Sequence, residues 1–284
     1  DSQVENQLII FSAVLVAEAE IKDRPCNKSK PHKIRNLREK VILLQKNCNF
    51  KHGFTLAEVL VTLGIIGVVS AMTVPTLMQN YQRKSYVTQL HKVYNELQQA
   101  FIQEITERNA LNLKEAGLTS DASIVNFMKK RFKVVQDCED STSPCFADEY
   151  SSMDGSSKGA IVNMARNPFS SCYTIASGAS ICLGYLSTEN EEQLSGAVYV
   201  DINGKQGPNI GGRDMFTMRY YNDGTIDVYA VTPECRANSD NCNSNYGSNP
   251  KDKRESRYSQ VCVKSKEGDD CIGKLLNDNW EMTY

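Results

Sequence analysis

Apolar positions follow three successive spacings along this chain. From Phe54 to Leu77 they run almost unbroken, and in those 24 residues the one ionisable side chain is Glu58. At about 1.5 Å of rise per residue, a helix of this length crosses a hydrocarbon core about 30 Å thick. A membrane-spanning helix is expected, with a single acid near its start. A carboxylate costs about 2.5–3.5 kcal/mol at the bilayer centre and less towards the interface, so its presence points to a function. Gly64 and Gly67 would let neighbouring helices approach closely. Pro75 removes one backbone hydrogen bond and predicts a helix bend.

Beyond Leu77 the pattern becomes amphipathic. Val87, Leu90, Tyr94, Leu97, Phe101 and Ile105 recur every three or four residues, giving one apolar stripe on a helix that is otherwise polar. That stripe is expected to pack on a sheet of its own domain. A second helix is predicted from about Ser120 to Phe132, starting near Asp121, with Ile124, Phe127, Met128 and Phe132 on one face. The spacing then shortens to that of strands over 181–186, 197–202, 215–221 and 226–231. Asn222, Asp223, Gly224 and Thr225 join the last two as a hairpin. Residues 236–257 read as a polar surface loop.

Charge and cysteine usage add a topology. The net charge is -2, yet residues 21–53 carry ten Lys or Arg against two acids. Basic residues beside a span are retained in the cytoplasm, which puts the remainder of the chain on the other side. A nucleic-acid partner is not expected, because the basic segment adjoins a span and has little aromatic interleaving. Of ten cysteines, eight follow residue 130 in close pairs: Cys138 and Cys145, Cys172 and Cys182, Cys235 and Cys242, Cys262 and Cys271. An even number beyond a membrane segment reads as disulfides formed in an oxidising space, with nearest-neighbour pairing the expectation. Zinc is the rival reading, but no pair has the short spacing of a zinc knuckle and no His follows His91.

The string Gly53, Phe54, Thr55, Leu56, Ala57, Glu58, followed by the apolar run to Val74 and by Pro75, resembles the processing site and N-terminal helix of type IV pilins and type II secretion pseudopilins. The resemblance covers about residues 46–105. It implies an α+β, pilin-like fold: a long N-terminal helix, membrane-spanning in its first half, packed on a small antiparallel sheet in a disulfide-containing head. It divides the chain into a basic leader (1–53), a transmembrane and assembly segment (54–77) and an extracytoplasmic head (78–284) that includes the amphipathic half of the helix. A prepilin peptidase would cut between Gly53 and Phe54 and methylate the new amine. The Glu58 carboxylate would pair with the N-terminus of a neighbouring subunit. The implied partners are further copies, other pilin-like subunits, the prepilin peptidase and the pilus or secretion assembly machinery. The implied location is the inner membrane for the precursor, with its leader cytoplasmic, and then a periplasmic or cell-surface filament.

In the head, residues 197–216 form a Gly-rich, Asn-rich and Asp-rich segment. Asp201, Asn203 and Asp214 could supply oxygen ligands to calcium; the same residues also suit turn capping. An enzyme is not expected. Of the three histidines, His32 and His52 lie in the basic segment before the span and His91 on the long helix, so a His-based triad is not expected in the rest of the head. Two other readings remain. One is a secreted or membrane-anchored disulfide-rich binding protein, cut before Met72 at a small-residue site formed by Val69 and Ala71. The other is a pilus-tip adhesin.

Overall fold

The computed structural model describes residues 55–161, 171–186, 194–242 and 245–284. The chain divides into two units, 1–66 and 67–284. The described part of the first, 55–66, is helical from Leu56 and mostly exposed. That helix, α1, is assigned over Leu56–Glu107 and contains Pro75. Among the described residues it is the one helix long and apolar enough to cross a membrane, and none of its most apolar window is buried.

Within the second unit, the buried residues of α1 are Val87, Leu90, Val93, Leu97, Ala100, Phe101 and Glu104. Tyr94 and Ile105 of the predicted stripe pack partly buried against the same core. The second helix, α2 (Asp121–Arg131), starts one residue after its predicted boundary because Ser120 caps it: the Ser120 side chain accepts from Ser123 N and the Ser123 side chain accepts from the Ser120 backbone. Its three C-terminal cations, Lys129, Lys130 and Arg131, suit the negative end of the helix dipole. Two of them also clamp α2 to α1. Lys130 Nζ lies 3.1 Å from Glu104 and 2.9 Å from Glu107, and Arg131 Nη2 lies 2.5 Å from Glu104 and 2.7 Å from Glu107. Glu104 is buried, a position the apolar stripe did not disclose, because a paired acid leaves no hydrophobic signal.

The sheet has six antiparallel strands in the order β1-β4-β5-β6-β7-β8, formed by Val134–Asp137 (β1), Ser171–Ile175 (β4), Ser180–Tyr185 (β5), Leu194–Asp201 (β6), Met215–Tyr221 (β7) and Ile226–Asp227 (β8). A separate ribbon pairs Tyr150–Ser151 (β2) with Lys158–Gly159 (β3). All four predicted strands are present, although β8 is much shorter than its apolar run. The predicted hairpin joins β7 to β8, with Gly224 at φ 79°, where a side chain would be strained. Four strands were not predicted. β1 and the ribbon are short and polar, and β4 is recognisable only through its pairing with β5.

Both sheet faces are buried, so the strands read as continuous apolar runs rather than alternating ones. Ile181, Leu183, Val198, Val200, Phe216, Met218 and Tyr220 face the core shared with α1 and α2. Cys182, Ala197, Tyr199 and Met215 face a second cluster built from Cys138, Cys145, Phe146, Tyr150, Ile161 and Cys172. The four expected disulfides are present: Cys138–Cys145, Cys172–Cys182, Cys235–Cys242 and Cys262–Cys271.

The loop expected over 236–257 requires correction. A short helix, α3, spans Pro233–Ala237, and α4 runs over Pro250–Gln260. Asn249 caps α4 by accepting from Asp252 N, and Pro250 stands at the first helical position, where its missing N–H costs nothing. Apolar periodicity is absent because cations attach this helix to the sheet. Arg254 bonds Asp227 of β8 at 2.9 and 2.5 Å, and Arg257 bonds Asp270. The Arg257 guanidinium also lies over the rings of Tyr229 and Tyr246. The last helix, α5, covers Ile272–Asn277. After it Trp280 returns to α1, stacking on His91 at 4.1 Å and meeting the edge of Tyr94 at 5.0 Å.

Candidate functional site

Two places collect the residues singled out above. The first is the start of α1. Gly53 and Phe54 lie outside the described residues; Thr55 and Glu58 lie within them. Glu58 Oε2 accepts from Thr55 N and from Thr55 Oγ1, each at 2.8 Å, while Thr55 Oγ1 accepts from Glu58 N at 3.2 Å. This is a reciprocal capping box: the threonine satisfies one of the unpaired donors of the first turn, and the glutamate reaches back to satisfy another. The charge also sits at the positive end of the helix dipole. The local signal of this box is the Thr-x-x-Glu spacing of Thr55 and Glu58. Among the described residues both bonds go to Oε2 and none to Oε1. The acid is exposed and surrounded by exposed apolar side chains, including Leu56, Val59 and Leu60.

The second place is the loop between β6 and β7. Asp201 is fully buried. Its Oδ2 accepts the Tyr150 hydroxyl, and its Oδ1 accepts from Asn203 N at 3.1 Å. Asn203 turns its Nδ2 to Gly207 O at 3.3 Å, closing the turn. Asp214 caps the far end of the loop, its two oxygens accepting from Asn209 N and Ile210 N at 2.6 Å each. The carboxylates of Asp201 and Asp214 thus cap turns, whereas Asn203 Oδ1 is buried with no hydrogen-bond partner among the described residues. Calcium needs about six to eight oxygen ligands, and among the described residues no group of three His, Cys, Asp or Glu side chains is placed to hold a metal. Sequence reading missed Tyr150, which lies 51 residues from its partner and leaves no local signal.

Burial pushes the Asp201 carboxyl up to about 8, reinforced by the nearby Asp214 and opposed by the hydrogen bonds it accepts. Burial likewise raises Asp214. The folded state thus holds a proton on Asp201 that the unfolded chain releases near pH 3.9, roughly the ordinary Asp value. Its contribution to stability is complete below that value and is lost as pH rises towards about 8. Asp154, lowered to about 2 by Ser156 and Ser152, and Glu107, lowered to about 2 by Arg131 and Lys130, contribute in the opposite sense. Theirs is lost only as pH falls through and below the usual carboxylate range, so they are constant in the window of Asp201. The melting temperature of the detergent-solubilised chain is therefore expected to fall between about pH 5 and about pH 8. The fall should be smaller in Asp201→Asn, and equal slopes in the two proteins would remove Asp201 as its cause.

Residues 48–74 match the prokaryotic N-terminal methylation motif, the signature of type IV pilins and pseudopilins. The match contains Gly53, Phe54, Thr55 and Glu58 and ends one residue before Pro75. No curated protein and no solved structure matches the chain.

Proposed function

We propose that this chain is a structural subunit of a type IV pilus or of a type II secretion pseudopilus, anchored in the inner membrane as a precursor and then moved into a filament. The observation that carries this reading is the coincidence of the methylation motif over 48–74 with an apolar helix whose first turn presents Glu58. Proteins bearing this motif are structural rather than catalytic. Cleavage after Gly53 would make Phe54 the first residue of the mature subunit and leave its methylated ammonium next to Thr55.

In the membrane, before assembly, the capping box satisfies the Glu58 carboxylate and lowers the cost of holding it there. In the filament, the Glu58 carboxylate would accept the ammonium of an adjacent subunit. One unpaired charge in an apolar bundle costs about 3–5 kcal/mol, so the pair would select the axial register of subunits more than it adds net stability. The bend expected at Pro75 belongs to the same reading, as a means for α1 to pack among its neighbours.

The test is the N-terminus and intact mass of the protein recovered from membranes and from the sheared surface fraction. A chain that begins at methylated Phe54 is expected. A chain that begins at Met72 would mean ordinary signal-peptidase secretion of the head, and this proposal would fail.

A further inference from the structure

Three of the four disulfides lie inside the two apolar clusters. Cys262 and Cys271 belong to the core shared with α1 and α2, and Cys138, Cys145, Cys172 and Cys182 to the second cluster. Cys235 and Cys242 belong to neither. Seven of these eight cysteines are buried, Cys235 among them at 1 % exposed, whereas Cys242 is half-buried. Thiol–disulfide exchange needs access, so this bridge is the one a reductant can approach without opening a core.

The bridge closes a short loop, with a sequence separation of 7. Its backbone bonds are local: Asn238 N donates to Glu234 O at 2.9 Å, and Cys242 N to Ser239 O at 3.0 Å. Arg236, next to Cys235, reaches out of the loop. Its Nη1 donates to Val231 O at 2.8 Å, its Nη2 donates to Asp223 Oδ2 at 2.9 Å and to Thr225 Oγ1, and its guanidinium lies 5.1 Å from the Tyr221 ring centre. Arg236 therefore ties the loop to the β7–β8 hairpin. The hairpin in turn meets α1 and the chain that follows it: a Cβ on Gly224 would stand 3.3 Å from Ile105 and 3.5 Å from Phe101, and Asn222 O accepts from Leu113 N at 2.8 Å.

We infer that Cys235–Cys242 is a reducible clasp: a dithiol opens it while the head stays folded, and the opening loosens the β7–β8 hairpin through Arg236. A thiolate of the dithiol attacks Cys242 Sγ, forming a mixed disulfide and releasing Cys235 as a thiolate that takes a proton from water. The second thiolate of the reductant then attacks the reductant's own sulfur in the mixed disulfide and releases Cys242, which is protonated in turn. The dithiol leaves as a disulfide, and two electrons and two protons stay on the two cysteines. Without the bridge the loop regains the freedom that closure had removed, which for this length changes local opening by roughly 50-fold. Arg236 then loses its fixed base, and the hairpin loosens with it. The sheet stays closed because its own bridges and apolar contacts are untouched. The clasp concerns the head alone and stands apart from the filament reading.

The test is graded dithiothreitol on the detergent-solubilised full chain, followed by alkylation and mass spectrometry, with amide hydrogen exchange in parallel. Cys235 and Cys242 are expected to be alkylated at concentrations that leave the other three disulfides intact. Exchange should then rise roughly ten- to 50-fold over 236–242 and over 222–225, with 181–183 and 198–200 unchanged. The double variant Cys235→Ser, Cys242→Ser should show the same exchange without reductant. In Arg236→Gln, with the disulfide intact, exchange over 222–225 should already be raised and should no longer respond to dithiothreitol. Four results would overturn the clasp: another disulfide reduced first, exchange at 181–183 rising in step with the loop, a hairpin that stays protected while the loop opens, or a hairpin in Arg236→Gln that still responds.

Discussion

Replacing Glu58 with alanine is expected to abolish filament assembly while the chain remains inserted in the membrane and cleaved at Phe54. On the proposed pairing, the variant would leave the ammonium of a neighbouring subunit without its carboxylate, and an unpaired charge in an apolar bundle costs about 3–5 kcal/mol per contact. Repeated along a filament, that penalty prevents growth. Alanine also removes the cap on Thr55, so a second variant is needed to separate the two effects. Glu58→Gln keeps an oxygen able to accept from Thr55 N, as capping boxes allow, but carries no charge. Both variants should yield mature subunit in the membrane fraction and almost none in the sheared fraction. Normal filament yield from Glu58→Gln would reduce Glu58 to a helix cap and remove the charge pairing from the mechanism.

The largest loss of stability is expected from Phe101→Ala. Phe101 is fully buried and stacks against Phe127 of α2 at 5.1 Å and Tyr220 of β7 at 4.9 Å, so one ring joins both helices to the sheet. Removing a buried aromatic ring costs about 3–5 kcal/mol in lost transfer free energy and residual cavity. Native domains have only about 5–15 kcal/mol in reserve, and for a head of this size the melting temperature should drop by about 10 °C or more. The neighbouring Ile102 is 49 % exposed and serves as the control. Its alanine variant should lie within about 0.5 kcal/mol of the parent. The comparison is a thermal melt of the detergent-solubilised chain with its disulfides intact. If the two variants melt together, the three stacked rings are not what joins helix to sheet.

What could be read from the chain alone depends on neighbours within one or two helical turns or along one strand. The apolar run to Leu77, the stripe from Val87 to Ile105, the cap region before Ile124 and the Asp-Gly hairpin at Gly224 are all of this kind. The disulfide partners are also close in sequence, seven to ten residues apart, and short loops close most readily. The Thr55 and Glu58 capping box belongs to the same class.

Other features depend on residues that only folding brings together. The Asn and Gly neighbours of Asp201 suit a cation ligand or a turn cap alike; the hydroxyl it accepts comes from Tyr150, and the burial that shifts its acidity comes from the second core. The helix over Pro250–Gln260 was invisible to a hydrophobic pattern because Asp227 and Asp270, remote in sequence, bind it through Arg254 and Arg257. Apolar periodicity reports burial wherever the buried atoms are carbon. Where a charge is buried against a distant partner, the free energy resides in a contact that no local window contains, and the tertiary structure alone decides it.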